Sequence, residues 1–146
     1  MRTTRIGMLA ISLIAAGCGG ARFANRPAPP TPINLSVYID DARVSVSPSA
    51  IGAGPVVFVV TNQATHAESL MILRSGGSVA LADTGPISPQ ATAQVTVNLA
   101  VPGTYRVSTG PNGSSEAAIA TPSSIRPAFI QIGPSRPSGS NALLQP

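Results

Sequence analysis

The stretch Gly54–Leu73, GPVVFVVTNQATHAESLMIL, is the most apolar part of the chain after its N-terminal leader. Its first half, Pro55–Thr61, is a continuous apolar run rich in β-branched residues, which is typical of a strand in the middle of a sheet. The polar segment Asn62–Thr65 predicts a turn, and Glu68–Leu73 predicts the next strand. The stretch therefore predicts two buried strands that follow one another directly.

Side chains alternate between the two faces of a strand, so the apolar positions of this stretch predict its buried face. We expect Val57 and Val59 on the first strand, and Leu70 and Ile72 on the second, to face a core between two sheets. Gln94, on a later strand, is expected to face solvent.

Further short strands are predicted on both sides of this stretch. The segments are Ile33–Ile39, Ala42–Val46, Val79–Ala82, Ala91–Leu99, Thr104–Ser108, Glu116–Ala120 and Ala128–Ile132. Loops are expected at Pro48–Gly54, Ser75–Ser78, Gly85–Pro89 and Gly110–Ser115, where Gly, Pro and Ser are frequent. Many short strands without an amphipathic helix of normal length predict an all-β sandwich.

The composition leaves room for one domain and excludes some partners. The chain has 146 residues, nine Arg and no Lys, five acidic residues and a net charge of +4. Two of the arginines, Arg2 and Arg5, belong to the leader, so seven Arg against five acids leave the remainder near +2. This weak and scattered charge argues against a nucleic-acid surface, which clusters its cations.

Residues 1–17 are predicted to be a signal peptide. Two positive charges precede the apolar run Ile6–Ala16, which is shorter than the roughly 20 residues that cross a bilayer. The run ends in Ala15–Cys18, AAGC, which resembles the lipobox of bacterial lipoproteins. The resemblance implies a lipid-anchored protein of the cell envelope, acylated (palmitate or a similar chain) on Cys18 and facing outside the cytoplasm. An ordinary secretory signal with an incidental Cys is the alternative.

The remaining chain divides into a linker, a domain and a tail. Residues 18–32 are rich in Pro and Gly and are expected to be extended, reaching on the order of 40 Å at roughly 3 Å per residue. Residues 33–133 are expected to form the sandwich. Residues 134–146 form a Pro/Ser-rich tail, which is expected to be disordered unless its apolar pair Leu143–Leu144 packs on the domain.

The order of the predicted strands resembles that of the cupredoxins. Ile51–Asn62, IGAGPVVFVVTN, is similar to the strand that precedes the first copper ligand in that family, and Glu68–Leu73 is similar to the strand after it. Leu99–Val107, LAVPGTYRV, resembles the strand that leads to the Cys ligand, and Pro127–Gly133 resembles the closing strand. The resemblance implies a Greek-key β-sandwich and covers about a hundred residues.

The same resemblance implies where copper ligands would stand, namely two His, one Cys and usually a Met. Glu68 occupies the position of the first His, and His66, the only histidine, lies two residues earlier. Thr109 occupies the position of the Cys, and Asn112 lies in the region of the second His. No Met follows Met71. The copper ligands are therefore expected to be lost, with a weak site at His66 and Glu68 as the alternative.

Other chemistry finds little support in the sequence. Asp40 and Asp41 are adjacent and are interpreted as turn formers rather than as a catalytic pair. The sequence contains no GxSxG elbow and no glycine-rich loop between a strand and a helix. No enzymatic activity is therefore expected.

The favoured function is a membrane-anchored cupredoxin-like module that binds an envelope protein or a small ligand without type 1 copper and without nucleic acid. Two alternatives remain open. The first is a copper-binding or electron-transfer lipoprotein with a non-standard site around His66, and the second is a structural accessory subunit of an envelope complex that pairs through a sheet edge.

Overall fold

The computed structural model of the protein describes residues 29–110 and 124–137, which form eight β-strands and no helix. The strands are β1 (Ile33–Ile39), β2 (Val44–Ser47), β3 (Ala50–Asn62), β4 (Glu68–Arg74), β5 (Ala80–Ile87), β6 (Thr92–Leu99), β7 (Gly103–Gly110) and β8 (Ala128–Ser135). The predicted all-β fold is confirmed. In this described part of the chain no helix is long and apolar enough to cross a membrane.

The strands form two layers that share β3. The first layer has the order β2-β1-β3-β6, and the second has the order β3-β8-β7-β4-β5. β3 runs parallel to both β1 and β8, whereas every other pair is antiparallel. β3 therefore carries the chain from one sheet into the other.

The crossing in β3 is built from small residues. Its first part, Ala50–Ala53, pairs with β8, and from Gly54 onward the strand pairs with β6. The register with β8 shifts between Gly52 and Ala53, and Gly54 has a φ of 142° that favours glycine. The segment predicted as the loop Pro48–Gly54 is therefore largely strand, because its glycines form a bulge rather than a turn.

Apolar side chains from both layers fill the space between them. The largest fully buried ones are Phe58, Leu35, Ile39, Leu70, Met71, Ile72, Leu73, Leu99, Ile130, Val37, Val56 and Val60. Along β1 the buried positions alternate with exposed ones, as the sequence predicts for a strand with one covered face.

The predicted faces are correct for β4 and wrong for β3. Leu70 and Ile72 are fully buried, and Gln94 is exposed as expected. Val57 and Val59, however, are only half-buried, and the neighbouring positions of β3 face the core instead. Both faces of Pro55–Val60 are apolar, so alternation alone could not choose between them, and the crossing at Gly54 determines the phase.

Other strand boundaries also differ from the prediction, most clearly those of β5 and β8. β5 continues to Ile87 through the predicted loop Gly85–Pro89, because bulges in its pairing with β4 accommodate the Gly and the Pro. The hydroxyl of Thr84 accepts a hydrogen bond from the backbone N of Leu70 at 3.0 Å within this irregular pairing. β8 runs to Ser135, beyond the expected domain end at residue 133.

Several predictions fall outside the described residues. These are the signal peptide at 1–17, the acylated Cys18, the position Asn112, the strand Glu116–Ala120 and the apolar pair Leu143–Leu144.

Candidate functional site

Four chain segments meet at one end of the sandwich, which we call the ligand pole. It consists of Asp40–Asp41, Asn62–Glu68, Ile87–Ala91 and Thr109. β1 and β3 end there side by side, with Ile39 opposite Asn62, and β4 begins there beside the end of β7. The cupredoxin resemblance assigns its copper ligands to this end.

Asn62 is the polar centre of the ligand pole. It is fully buried, and its side-chain Nδ2 donates to the carbonyl oxygens of His66 and Ile87, each at 2.8 Å. Its Oδ1 accepts from the backbone N of Ala64 at 2.9 Å, and its own backbone N and O bond to Ala91 and Gln90. Buried polar groups are costly unless they are bonded, and Asn62 satisfies its own groups together with those of the loops around it.

The loop that carries His66 is also held from its exposed side. Asp41 accepts hydrogen bonds from the backbone N of Thr65 at 2.8 Å and from its Oγ1 at 3.0 Å. Asp40 accepts from the backbone N of Ala42 and of Arg43, each at 2.8 Å, and these bonds lower the pKa of its carboxyl. Both aspartates thus shape turns, as predicted.

The two positions that the resemblance assigns to the first His and the Cys lie next to each other. Glu68 opens β4 and is half-buried, while Thr109 on the neighbouring strand β7 is 2% exposed. A hydrogen bond joins the Glu68 carboxylate to the Thr109 side chain. By strand alternation both share the inward face with Leu70 and Val107, so they sit above the core between the sheets.

Burial dominates the ionisation of Glu68. Desolvation raises the pKa of its carboxyl, and the charge of Asp41 raises it further. The positive form of His66 and the Thr109 hydrogen bond oppose this shift but do not cancel it. The Glu68 pKa is therefore raised, and its carboxylate is a less stable anion than an exposed one.

His66 is near Glu68 in the sequence but is more exposed than Glu68. The residue is exposed, and its carbonyl oxygen is held by Asn62. Among the described residues no group of three or more His, Cys, Asp or Glu side chains is arranged to hold a metal ion. The structure thus brings His66, Glu68 and Thr109 to one pole, while Asn112 lies outside the described ranges.

Sequence reasoning missed two features of this pole. It treated Asn62 only as the start of a turn, although its side chain ties the loop between β3 and β4 to the end of β5. It also gave no weight to Ser69, whose buried Oγ has no hydrogen-bond partner in the described part of the structure. The apolar residues on both sides of Asn62 could have indicated its burial, but no sequence signal identified its partners.

The opposite end, which we call the linker pole, consists of Pro29–Pro32, Ala53–Pro55, Ser75–Val79, Ala100–Gly103 and Ser135–Arg136. Arg136 donates from Nη1 to the carbonyl oxygen of Thr31 at 2.8 Å and from Nη2 to that of Pro55 at 2.6 Å. A Cβ on Gly54 would lie 2.7 Å from Nη2, so the glycine leaves the space that the guanidinium fills.

Pro29, Pro30 and Pro32 line an open cavity of about 510 Å³ at the linker pole together with Arg136. The end of the expected linker and the start of the expected tail therefore pack on the domain, contrary to a purely extended linker and a disordered tail. The sequence carried no sign of this contact, since Arg136 and Pro55 are 81 residues apart.

Solved structures with a similar fold include copper proteins. Auracyanin B is 15% identical, with a TM-score of 0.51 over 75% of this chain and 92% of its own. Auracyanin A, described as a "blue" copper protein from Chloroflexus aurantiacus, is 12% identical, with a TM-score of 0.45 over 68% of this chain and 99% of its own.

A third similar structure belongs to a larger protein. The copper-containing nitrite reductase from Thermus scotoductus is 11% identical, with a TM-score of 0.47 over 73% of this chain but 28% of its own. No protein-family model and no curated protein matches the sequence. At these identities the likeness concerns the fold alone.

Proposed function

Because this chain folds as a cupredoxin-like β-sandwich, we propose that it is an extracytoplasmic binding module that has kept the frame of a copper protein without its type 1 copper site. The observation that carries the proposal is that Glu68 and Thr109 lie on the paired strands β4 and β7, where the Thr109 side chain hydrogen-bonds to the carboxylate. A carboxylate and a hydroxyl meet where the family resemblance places an imidazole and a thiolate.

The donor chemistry of the ligand pole supports a metal-free role. A type 1 site needs a thiolate and two imidazoles around copper. The only cysteine of the chain is Cys18 in the leader region, and the only histidine is His66. Glu68 and Thr109 offer only hard oxygen atoms in place of the imidazole and the thiolate. These residues do not fit the copper site of the family.

The proposal assigns binding rather than catalysis to the ligand pole. Asn62 engages all its polar side-chain groups with the backbone of neighbouring loops, and Asp41 is engaged with Thr65. These groups stabilise the shape of the pole and leave the exposed side chain of His66 for a partner in the envelope. Two carboxylate–hydroxyl pairs occur in the described part of the pole, Glu68 with Thr109 and Asp41 with Thr65, and we assign both to holding its shape rather than to acid–base or covalent catalysis.

Metal analysis of the purified protein tests the proposal. We expect the protein to remain colourless when copper is added and to lose the metal on dialysis. The matched variant is His66→Ala, which removes the only imidazole at the pole. A stoichiometric copper ion that survives dialysis in the parent protein and is lost in His66→Ala would instead establish the copper-binding alternative. Specific crosslinking to one envelope complex through β5 or β6 would favour the accessory-subunit alternative.

The proposed address is the outer side of a bacterial membrane, through a lipid on Cys18. The sequence AAGC at the end of a signal-length apolar run supports it. We expect Cys18→Ala to abolish incorporation of a fatty-acid probe and to leave either an uncleaved precursor or a released protein. The inner and outer membranes are distinguished by fractionation. Unchanged fatty-acid labelling of Cys18→Ala would contradict the lipid anchor.

A further inference from the structure

Three of the large apolar residues exposed on the domain lie at or beside the linker pole. Val79 is 74% exposed in the loop between β4 and β5, Leu81 at the start of β5 is 50% exposed, and Val101 is 47% exposed in the turn between β6 and β7. The hydroxyl of Tyr105 donates to the carbonyl oxygen of Val101 at 2.7 Å, so the turn is fixed while its apolar side chain faces outward.

Positive charges accompany these apolar residues. Arg74 is exposed, and its Nη2 lies 4.0 Å from the point where a Cβ on Gly103 would be, which places the guanidinium beside the Val101 turn. Arg136 is bonded to carbonyl oxygens rather than to a carboxylate. Within the described ranges the ion pair joins Arg43 to Asp40, which lie at the other end of the molecule.

The acidic residues of the described domain lie away from the linker pole. Asp40, Asp41 and Glu68 belong to the ligand pole, and Asp83 lies in the middle of the second sheet opposite Met71. The described part of the linker pole therefore contains cations and exposed apolar side chains but no acid. The described chain also enters the domain here, through Pro29–Pro32.

We propose that the linker pole lies against a bilayer of anionic phospholipids, with Val79 and Val101 entering the interface and Arg74 facing the phosphates. Basic side chains are attracted to anionic leaflets, and small exposed apolar groups gain by insertion at the headgroup boundary. Charge complementarity and the entry point of the linker both favour this occupant. The inference rests on the proposed function only in that a lipid anchor would bring this pole to the membrane.

The docking fixes the orientation of the domain. The strands run from one pole to the other, so contact at the linker pole directs the ligand pole away from the lipid surface. His66 and the acidic residues would then face partners in the surrounding compartment.

Single-tryptophan fluorescence tests the docking directly, because the chain contains no Trp. The reporters are Val101→Trp and Val79→Trp in the full chain, and the control is Tyr38→Trp, which is 50% exposed beside the ligand pole. Each variant is bound to vesicles that contain phosphatidylglycerol and phosphatidylcholine with brominated acyl chains. Only vesicle-bound protein, isolated by flotation, is measured, and a thermal melt confirms that each variant folds.

We expect emission from the two linker-pole reporters to shift to the blue and to be quenched by brominated lipid at least about twofold more than the Tyr38→Trp control. Adding Arg74→Gln removes a charge that attracts the lipid phosphates, and raising the salt from about 0.15 M to about 0.5 M screens that attraction. Either change should therefore reduce the quenching. Equal quenching of all reporters, or no dependence on phosphatidylglycerol, would overturn the docking. Flotation reports attachment separately, so a failure of the Cys18 anchor remains distinguishable from a failure of this inference.

Discussion

The ligand pole and the linker pole are both tied together by one polar side chain that bonds to distant backbone groups. Asn62 joins the loops after β3 and before β6, whereas Arg136 joins the entering chain to the crossing in β3. Asn62 is neutral and fully buried among residues that include acids, and Arg136 is charged and half-buried among prolines. The first holds the frame of a site, and the second holds the domain to its linker.

Under the proposed function, this difference explains how the fold could keep its architecture after losing its copper ligands. The bonds of Asn62 are made to backbone atoms, so they do not depend on which side chains stand at positions 66, 68 and 109. Replacement of metal ligands by Glu68 and Thr109 would therefore leave the loops in place. At the linker pole Arg136 likewise bonds to backbone carbonyl oxygens, so the exposed side chains around it can vary to suit the proposed membrane contact.

The largest expected loss of stability comes from a substitution in β3, the strand that connects the two poles. Truncation of fully buried Phe58 to Ala should lower the free energy of unfolding by about 3–5 kcal/mol, because it removes core contacts and leaves a cavity. The matched variant Val57→Ala, on the half-buried face, should cost no more than about 1 kcal/mol. Urea denaturation measures both. Similar losses from the two variants would mean that the face assignment in β3 is wrong.

Asn62→Ala should produce the next largest effect. It leaves the backbone groups of His66, Ile87 and Ala64 without partners, and each buried unsatisfied group costs about 1–3 kcal/mol. We expect a total loss on the order of 3 kcal/mol, since water can reach part of this rim. The exposed neighbour Gln63→Ala is the control. A loss below that of the control would show that Asn62 does not organise the ligand pole.

Arg136→Lys should have a smaller effect at the linker pole. Lysine keeps the charge but lacks the planar fork that reaches two carbonyl oxygens at once. We expect a loss of about 1 kcal/mol, because water can solvate the freed carbonyl groups. The readout is again urea denaturation, with Arg126→Lys as control because Arg126 is exposed and lies toward the other end of the molecule. A loss larger than that of Asn62→Ala would reverse the comparison between the poles.

Glu68→Gln should change the pH dependence more than the stability itself. The Glu68 pKa is raised in the folded protein, so the folded state holds the proton more tightly than the unfolded state. Stability should therefore fall as the pH rises from the unfolded pKa of Glu68 through its higher folded pKa. Thermal unfolding followed across this range should show that Glu68→Gln removes the fall. An unaltered pH profile would place Glu68 in water, away from Thr109.

The sequence predicted the strands more reliably than their faces. β1 and β6 alternate clearly between apolar and polar residues, so their positions and faces follow from period two. β3 is apolar on both faces, and only its crossing at Gly54 determines which valines are buried. The predicted loops that became strand contain glycine and proline, which serve here as bulges within β3 and β5.

The candidate site was predictable in position but not in contacts. The resemblance brought Glu68 and Thr109 to one pole, and the structure joins them. The network of Asn62 and the fork of Arg136 depend on backbone atoms far away in the sequence, which no residue pattern encodes.

Thermal unfolding with and without copper(II) tests whether this copper-protein fold lacks a copper site, as we propose. A ligand at a hundred times its dissociation constant stabilises the folded state by about 2.7 kcal/mol. In a domain of this size that gain corresponds to a rise of roughly 10 °C in Tm. We predict no rise for the parent protein and the same Tm for His66→Ala. A rise of this size in the parent protein that disappears in His66→Ala would mean that the domain holds copper through His66.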